Sequence, residues 1–169
     1  MTSKTAKPIS FETTSGTITA SRGSGLIRAT GIPYASAGRF ELPQAVTRKA
    51  GPIDGTNPAP ACPQNPVPEL EALLGVQSPT LPENEACHNL SITVPDAPSK
   101  EKRPVMVWIH GGSYVAGAGD SPIFDVGPLC REQDVIVVSV TYRLGLLGFL
   151  GGYAGRPANL GLLDIIEAL

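Results

Sequence analysis

The residues with the clearest chemical potential are His110-Gly111-Gly112-Ser113, which directly follow the apolar run Val105–Ile109. A strand that ends in two glycines leads into a loop whose backbone N–H groups are uncovered and can point at one position. Such a loop suits the negative charge that develops on an oxygen during acyl transfer. An imidazole at the strand-to-loop turn is better placed to hold the loop by hydrogen bonding than to act as a base. One interpretation of these residues is therefore an oxyanion-binding loop supported by His110.

Two other interpretations of the glycines stay open. Gly117-Ala118-Gly119 could begin a dinucleotide-binding G-x-G-x-x-G loop, but the sixth position is Pro122 and the loop lies well past the end of its strand. A phosphate-binding P-loop requires Gly-Lys-Ser or Gly-Lys-Thr, and neither triplet occurs. Gly111 and Gly112 could also form a tight turn with only a structural role.

An oxyanion loop must serve a nucleophile, and the sequence offers none in the expected setting. In many acyl-transfer enzymes the serine lies in a strand-to-helix turn, G-x-S-x-G, where the glycines let the two backbones approach. None of the twelve serines has glycine at both positions. The last residues form an amphipathic pattern without a helix stop. We therefore expect residues 1–169 to be a partial domain, truncated before the nucleophile turn.

The elements that must position the loop begin with a β-rich region. β-branched residues bounded by glycines at 16–20, 25–29 and 31–34 predict a small β-meander. Residues 43–82 contain nine of the 17 prolines, which predicts a long surface excursion. Only residues 69–74 within it are expected to form a short helix.

The second half of the sequence has longer apolar segments. Residues 90–94 alternate like a strand with one covered face. Val105–Ile109 and residues 135–142 are nearly continuous apolar runs, typical of strands buried on both faces. Residues 122–134 are long enough for a helical crossover, and residues 159–169 begin an amphipathic helix. We predict an α/β fold in which a small β-meander leads into a central mixed sheet with flanking helices.

Composition limits the possible partners and compartments. With 169 residues, 41% of them hydrophobic and 17% charged, the chain has the size and character of one globular domain. A net charge of −2 gives no support for binding nucleic acid. No run approaches the ~18–20 apolar residues of a membrane span. The first eight residues lack the apolar region of a secretory signal, which favours the cytoplasm, although secretion stays open.

Five segments in the same order resemble the type-B carboxylesterase and lipase family of the α/β-hydrolase superfamily. Trp108-Ile109-His110-Gly111-Gly112 resembles the family's HGG(G/A/S) segment. The other four are residues 31–35 with Arg39-Phe40 (GIPYA…RF), residues 85–92 (a degraded EDCLYLNV), residues 142–150 (YRLGxxGFL) and residues 159–164 (NxGLxD). Five ordered motifs over nearly the whole chain are far more specific than one glycine pair.

The resemblance implies hydrolysis of small-molecule carboxylic esters through an acyl-serine intermediate, with no metal and no cofactor. By resemblance, the backbone N–H groups of Gly112 and Ser113 form the oxyanion hole, with Gly111 and His110 as loop support. The family's nucleophile, acid and base come from later in the chain, so these 169 residues are expected to be inactive without a C-terminal portion. The alternative is a noncatalytic, cholinesterase-like binding or adhesion module, or a remnant of an enzyme.

Two ion pairs are also implied by the resemblance. Arg39 is expected to pair with Glu85, and Arg143 with Asp164. Both pairs are structural, so Asp164 is not expected to be the acid of a catalytic triad. His88 occupies a position that is apolar in relatives and is not expected to act as a base.

Cys62 and Cys87 correspond to two cysteines that form a disulfide in the family. The absence of a secretory signal argues against the bond, because a reducing cytoplasm keeps thiols free. The disulfide therefore stays open. Cys130 is expected to be a small buried apolar residue rather than a reactive thiol.

Overall fold

The computed structural model of the chain describes residues 7–47, 51–66, 68, 81–152 and 155–169. The helix predicted over residues 69–74 lies outside these ranges. The strands are β1 (Lys7–Thr13), β2 (Gly16–Gly23), β3 (Leu26–Pro33), β4 (Ala35–Ser36), β5 (Gln44–Ala45), β6 (Ile53–Gly55), β7 (Asn89–Pro95), β8 (Val105–Ile109) and β9 (Ile136–Thr141). The helices are a 3-10 helix (Pro122–Phe124), α1 (Gly127–Gln133), α2 (Gly145–Phe149) and α3 (Leu160–Ala168).

The main sheet is mixed, with the strand order β1-β2-β3-β7-β9-β8. Neighbours along this path are antiparallel except β8 and β9, which are parallel. The middle of β2, residues 18–20, also pairs in parallel with β6, and its last residues, 21–23, pair with β3. The predicted β-meander and central mixed sheet are thus confirmed.

The meander differs from its prediction in two details. Residues 25–29 and 31–34 contribute to one strand, β3, rather than two, because a register shift between Ala29 and Ile32 absorbs the break. Gly31, at φ +65°, lies inside that shift, where a left-handed backbone favours glycine. β1 was not predicted, and it pairs with β2 along its whole length.

The two apolar runs of the second half differ in burial. β9 has neighbours on both sides and is buried on both faces. Val137 packs with Cys130 of α1, whereas Val140 packs with Ala168 of α3. Residues an odd number of positions apart face opposite sides of a strand, so helices cover both faces of β9. The prediction for residues 135–142 is confirmed.

The prediction that Val105–Ile109 is buried on both faces is wrong. β8 is the last strand of the sheet and pairs only with β9 among the described residues. Val105 is 60% exposed, and Met106, Val107 and Ile109 are exposed as well. The apolar composition of β8 therefore gives this structure an uncovered hydrophobic edge.

The predicted crossover and the last helix are present. Residues 122–134 form the 3-10 helix and α1, and α3 covers most of residues 159–169. No described helix is both long enough and apolar enough to span a lipid bilayer.

Candidate oxyanion loop

The glycine loop starts at the carboxyl end of β8 and passes over the carboxyl end of β9. Because β8 and β9 are parallel, these two ends lie at the same edge of the sheet. The N–H of Gly119 donates to Oγ1 of Thr141, the last residue of β9, at 2.9 Å. The N–H of Gly145, which begins α2, donates to the carbonyl of Tyr114 at 2.7 Å. The loop is therefore fixed to the segment that follows β9.

The loop backbone is left-handed at three consecutive residues. Gly112 has a φ of +120°, Ser113 of +53° and Tyr114 of +62°. The carbonyl of Gly112 accepts the N–H groups of Val115 at 3.0 Å and Ala116 at 3.1 Å, which closes a tight turn. A Cβ on Gly112 would lie 2.0 Å from the carbonyl oxygen of Ala116. This turn therefore requires glycine at position 112.

Gly111 has no such requirement from the chain itself. Its φ is not positive, and a Cβ built there meets no atom within 4 Å. Of the two glycines of the motif, only Gly112 is demanded by the loop's own packing.

The N–H groups of Gly112 and Ser113 point to no acceptor in the described part of the chain. Neither group is a donor in the backbone or side-chain hydrogen bonds of the loop. Ser113 is exposed and Gly112 half-buried, so a ligand from solvent can reach both. Two adjacent donors held free on a rigid turn can bind an anionic oxygen.

His110 is buried beneath this turn. Its ring stacks on Tyr142 with centroids 4.7 Å apart and an interplanar angle of 20°. Nδ1 lies 2.8 Å from the carbonyl oxygen of Gly111 and must carry the proton to donate to it. Burial lowers the pKa of His110, which keeps the ring neutral. Nε2 is buried and has no partner among the described residues, so the ring supports the loop and is not presented to a substrate.

Gln64 contacts the far side of the loop, a contact that no sequence pattern predicted. Its Oε1 accepts the N–H of Gly117 at 2.6 Å, and its Nε2 donates to the carbonyl of Gly117 at 3.0 Å. The same Nε2 donates to the carbonyl of Cys62 at 2.9 Å. The proline-rich segment thus holds one end of the glycine loop.

The structure brings Arg143 and Asp164 together, as the resemblance implies. Asp164 is fully buried, and Arg143 is 3% exposed. Burial acts to raise the pKa of Asp164, but the hydrogen bonds and charge of Arg143, with the nearby His88, outweigh it and lower that pKa. His88 Nε2 lies 3.2 Å from Oδ1 of Asp164, a neighbour that the sequence did not predict.

Glycines allow the elements around Arg143 to approach closely. A Cβ on Gly148 of α2 would lie 2.2 Å from the Arg143 carbonyl oxygen, and one on Gly161 of α3 would lie 2.5 Å from it. Gly148 is the second glycine of the YRLGxxGFL segment, and Gly161 is the glycine of the NxGLxD segment. Their role in this chain is close packing.

Arg39 and Glu85 also meet, but at the surface. Arg39 Nε donates to the two carboxylate oxygens of Glu85 at 3.0 and 2.9 Å. The Arg39 side chain is 64% exposed. This pair links the segment after β4 to the entry of β7 without being buried.

Cys62 and Cys87 are neighbours in one buried cluster with Tyr142 and Leu144. Both thiols are free in this structure. The neighbouring Cys87 thiol lowers the pKa of Cys62, and Cys62 together with burial raises the pKa of Cys87. The N–H of Leu144 also donates to the Cys62 sulfur, at 3.2 Å. The disulfide stays a prediction, and Cys130 is likewise buried and free.

Comparison with known proteins identifies the family of this chain. Residues 11–169 match the model of the carboxylesterase family. The chain belongs to the carboxylesterase family. The match includes β8, the glycine loop and every other motif that carries the resemblance.

Relatives of this carboxylesterase-family chain include ester and acyl hydrolases. It is 40% identical over 147 residues to a para-nitrobenzyl esterase of Bacillus subtilis, covering 82% of this chain and 29% of the esterase. It is also 40% identical over 140 residues to a probable N-octanoylanthranilate hydrolase of Rhodococcus erythropolis, covering 82% of this chain and 30% of that protein. The chain therefore spans less than a third of these relatives.

Solved structures agree on the fold. A thermophilic para-nitrobenzyl esterase superposes with a TM-score of 0.80 at 36% identity, covering 94% of this chain and 33% of the esterase. The chain has the α/β-hydrolase fold of these esterases over the part that it spans.

Proposed function

We propose that this chain supplies the oxyanion hole of a carboxylic-ester hydrolase that works through an acyl-serine intermediate. The observation that carries the proposal is the pair of adjacent N–H groups of Gly112 and Ser113, which no described residue accepts from. They lie on a turn that is anchored to Thr141 and Gly145. Membership of the carboxylesterase family supports ester substrates.

In this proposal the substrate carbonyl oxygen lies against the two N–H groups. Attack on the carbonyl carbon moves charge onto that oxygen, and the donors stabilise the charge in the transition state. The loss of one such donor typically costs ~2.7–4 kcal/mol of transition-state stabilisation. The serine, the acid and the base are supplied from outside the 169 residues, which form the N-terminal part of the hydrolase domain. The substrate class is small-molecule carboxylic esters.

A hybrid enzyme tests the proposal. Residues 11–169 of this chain replace the matching segment of the para-nitrobenzyl esterase of Bacillus subtilis, and hydrolysis of a para-nitrobenzyl ester is measured. We expect the hybrid to turn over the ester. Gly112→Ala should lower kcat at least about 100-fold, because the added Cβ collides with the Ala116 carbonyl and distorts the turn that holds the donors.

Gly151→Ala is the matched control. Gly151 is exposed, and a Cβ there meets nothing within 4 Å. It should leave kcat unchanged. A folded, soluble hybrid without activity, or one in which Gly112→Ala is as active as Gly151→Ala, would contradict the proposed role.

A further inference from the structure

We propose that Gln64 is a positioning residue of the oxyanion loop, holding Gly117 so that the donors of Gly112 and Ser113 keep their direction. This inference rests on the proposed function of the loop and names a residue on which that function depends. Gln64 is far from the loop in sequence and touches neither donor. It acts through the backbone of Gly117 and the ring of His110.

The first step is the pairing of one side chain with one residue's backbone. The amide of Gln64 both accepts from the Gly117 N–H, at 2.6 Å, and donates to the Gly117 carbonyl, at 3.0 Å. Among the described residues, Gly117 has no main-chain partner for either group. Gln64 therefore supplies to Gly117 the two hydrogen bonds that a neighbouring strand would otherwise make.

The second step leads from Gly117 to the start of the loop. Gly117 has a φ of +114°, and a Cβ there would lie 2.3 Å from His110 Nδ1 and 2.8 Å from the Gly111 carbonyl oxygen. The backbone of Gly117 thus lies directly against the hydrogen bond between His110 and Gly111. If Gly117 moves, the packing that holds the hydrogen bond between His110 and Gly111 is lost. Gly111 immediately precedes Gly112 and Ser113, which carry the two donors.

The third step is that Gln64 itself is anchored. Its Nε2 also donates to the carbonyl of Cys62, at 2.9 Å. Cys62 is fully buried, and its sulfur accepts the N–H of Leu144 at 3.2 Å. Three hydrogen bonds to fixed backbone groups hold the amide in one orientation, with the donor facing two carbonyls and the acceptor facing an N–H.

Gln64→Glu tests this orientation, because an ionised carboxylate has the same shape but cannot donate. It would face the carbonyl oxygens of Gly117 and Cys62 with no proton between them. When the carboxyl is protonated it can donate again. Lowering the pH should therefore restore a hydrogen-bond donor at position 64 in the same variant. Gln133→Glu, at the exposed end of α1, is the matched control.

The kinetic measurement uses the hybrid enzyme. At pH 8 Gln64→Glu should lower kcat about 10- to 100-fold with KM changed less than about twofold, as expected when a catalytic group is misplaced by an ångström or less. The ratio of variant to parent kcat should recover as pH falls towards 5. Gln133→Glu should match the parent throughout. A Gln64→Glu variant equal to the parent at pH 8 overturns the inference, and an inactive folded parent overturns the proposed function instead.

A second measurement does not need activity. Amide hydrogen exchange of the 169-residue chain is compared between Gln64→Glu and wild type at pH 8. Within residues 110–119, we expect the hydrogen-bonded amides of Val115, Ala116 and Gly119 to exchange about tenfold faster or more, with β7 and β9 unchanged. Equal loss of protection in β7 and β9 would show that Gln64 supports the whole core, which contradicts a positioning role. Unchanged exchange of residues 110–119 would contradict it as well.

Discussion

The carboxylate of Asp164 accepts three hydrogen bonds from Arg143, and this one contact joins the end of β9 to α3. Nε donates to Oδ2 at 2.8 Å, Nη2 donates to Oδ1 at 2.7 Å, and the backbone N–H of Arg143 donates to Oδ2 at 3.1 Å. Nη1 of the same guanidinium donates to the carbonyl of Glu41 at 2.9 Å. Arg143 therefore ties three segments together around a buried charge.

Arg143→Ala should destabilise the chain by about 3–5 kcal/mol, because it leaves the Asp164 carboxylate buried without its cation. Arg39→Ala is the matched control, since Arg39 also pairs with a carboxylate but lies at the surface. Its effect should be much smaller. Urea denaturation of the two variants measures the difference. Equal losses of unfolding free energy would show that burial of the pair does not matter.

Acid should remove the contribution of Asp164. Its pKa is lowered in the folded chain, because the hydrogen bonds and charge of Arg143, with the nearby His88, outweigh the opposing effect of burial. A carboxyl group whose pKa is lower in the folded chain stabilises the folded state at pH values above its unfolded pKa of ~3.9. This stabilisation is lost as the pH falls through the folded pKa. Asp164→Asn should therefore be less stable than wild type at pH 7, and the gap should narrow below about pH 4. A gap that stays constant from pH 7 to 3 would be evidence against this electrostatic role.

Gly117→Ala should cost clearly more stability than Gly25→Ala. Gly117 has a φ of +114° and Gly25 of +75°. Alanine at either position is therefore strained by a left-handed backbone, which costs about 1–2 kcal/mol. Only at Gly117 does the Cβ collide with a neighbour, His110 Nδ1 at 2.3 Å; at Gly25 the nearest atom is 3.9 Å away. Thermal unfolding of the two variants separates strain from collision. Equal costs would mean that His110 moves freely, contrary to its support of the loop.

Refolding in a glutathione redox buffer should join Cys62 to Cys87 and leave Cys130 reduced. The first two cysteines lie together in one buried cluster, whereas Cys130 lies in another. Closing a loop of this length stabilises a chain by about 3 kcal/mol in the chain-entropy model. Peptide mapping under non-reducing conditions identifies the bond, with the Cys87→Ala variant as control. Three free thiols after oxidative refolding would refute the disulfide.

Sequence alone predicted the parts of the fold that depend on local pattern. The continuous apolar run of residues 135–142 correctly predicted a strand covered on both faces, and the glycine-bounded segments predicted the meander. The same reasoning failed for Val105–Ile109, which has an equally apolar composition. The difference between the two strands is how many neighbours each one has in the sheet, and that is a property of topology and not of composition.

The geometry of the glycine loop was predicted to a similar degree, whereas its role in binding an oxyanion stays a prediction. The motif identified the turn at Gly112 and Ser113, because glycine at a left-handed position leaves a local signature. Gln64 and Thr141 escaped prediction, since they meet the loop only through the folded chain and a single polar residue has no distinctive spacing. His88 was set aside because its position is apolar in relatives, yet it lies 3.2 Å from Asp164.

The most direct test of the central claim removes a single backbone N–H. In the hybrid enzyme, the amide of residue 113 is replaced by an ester through insertion of lactic acid, the α-hydroxy analogue of alanine, and the reference is Ser113→Ala. The side chain is the same in both proteins. The ester removes the proposed donor and, besides that, only weakens the Gly112 carbonyl as the acceptor of the Val115 and Ala116 N–H groups. We predict that kcat for the para-nitrobenzyl ester falls roughly 100- to 1,000-fold with KM nearly unchanged. A kcat within about twofold of the reference would contradict the assignment of the Ser113 N–H to the oxyanion hole.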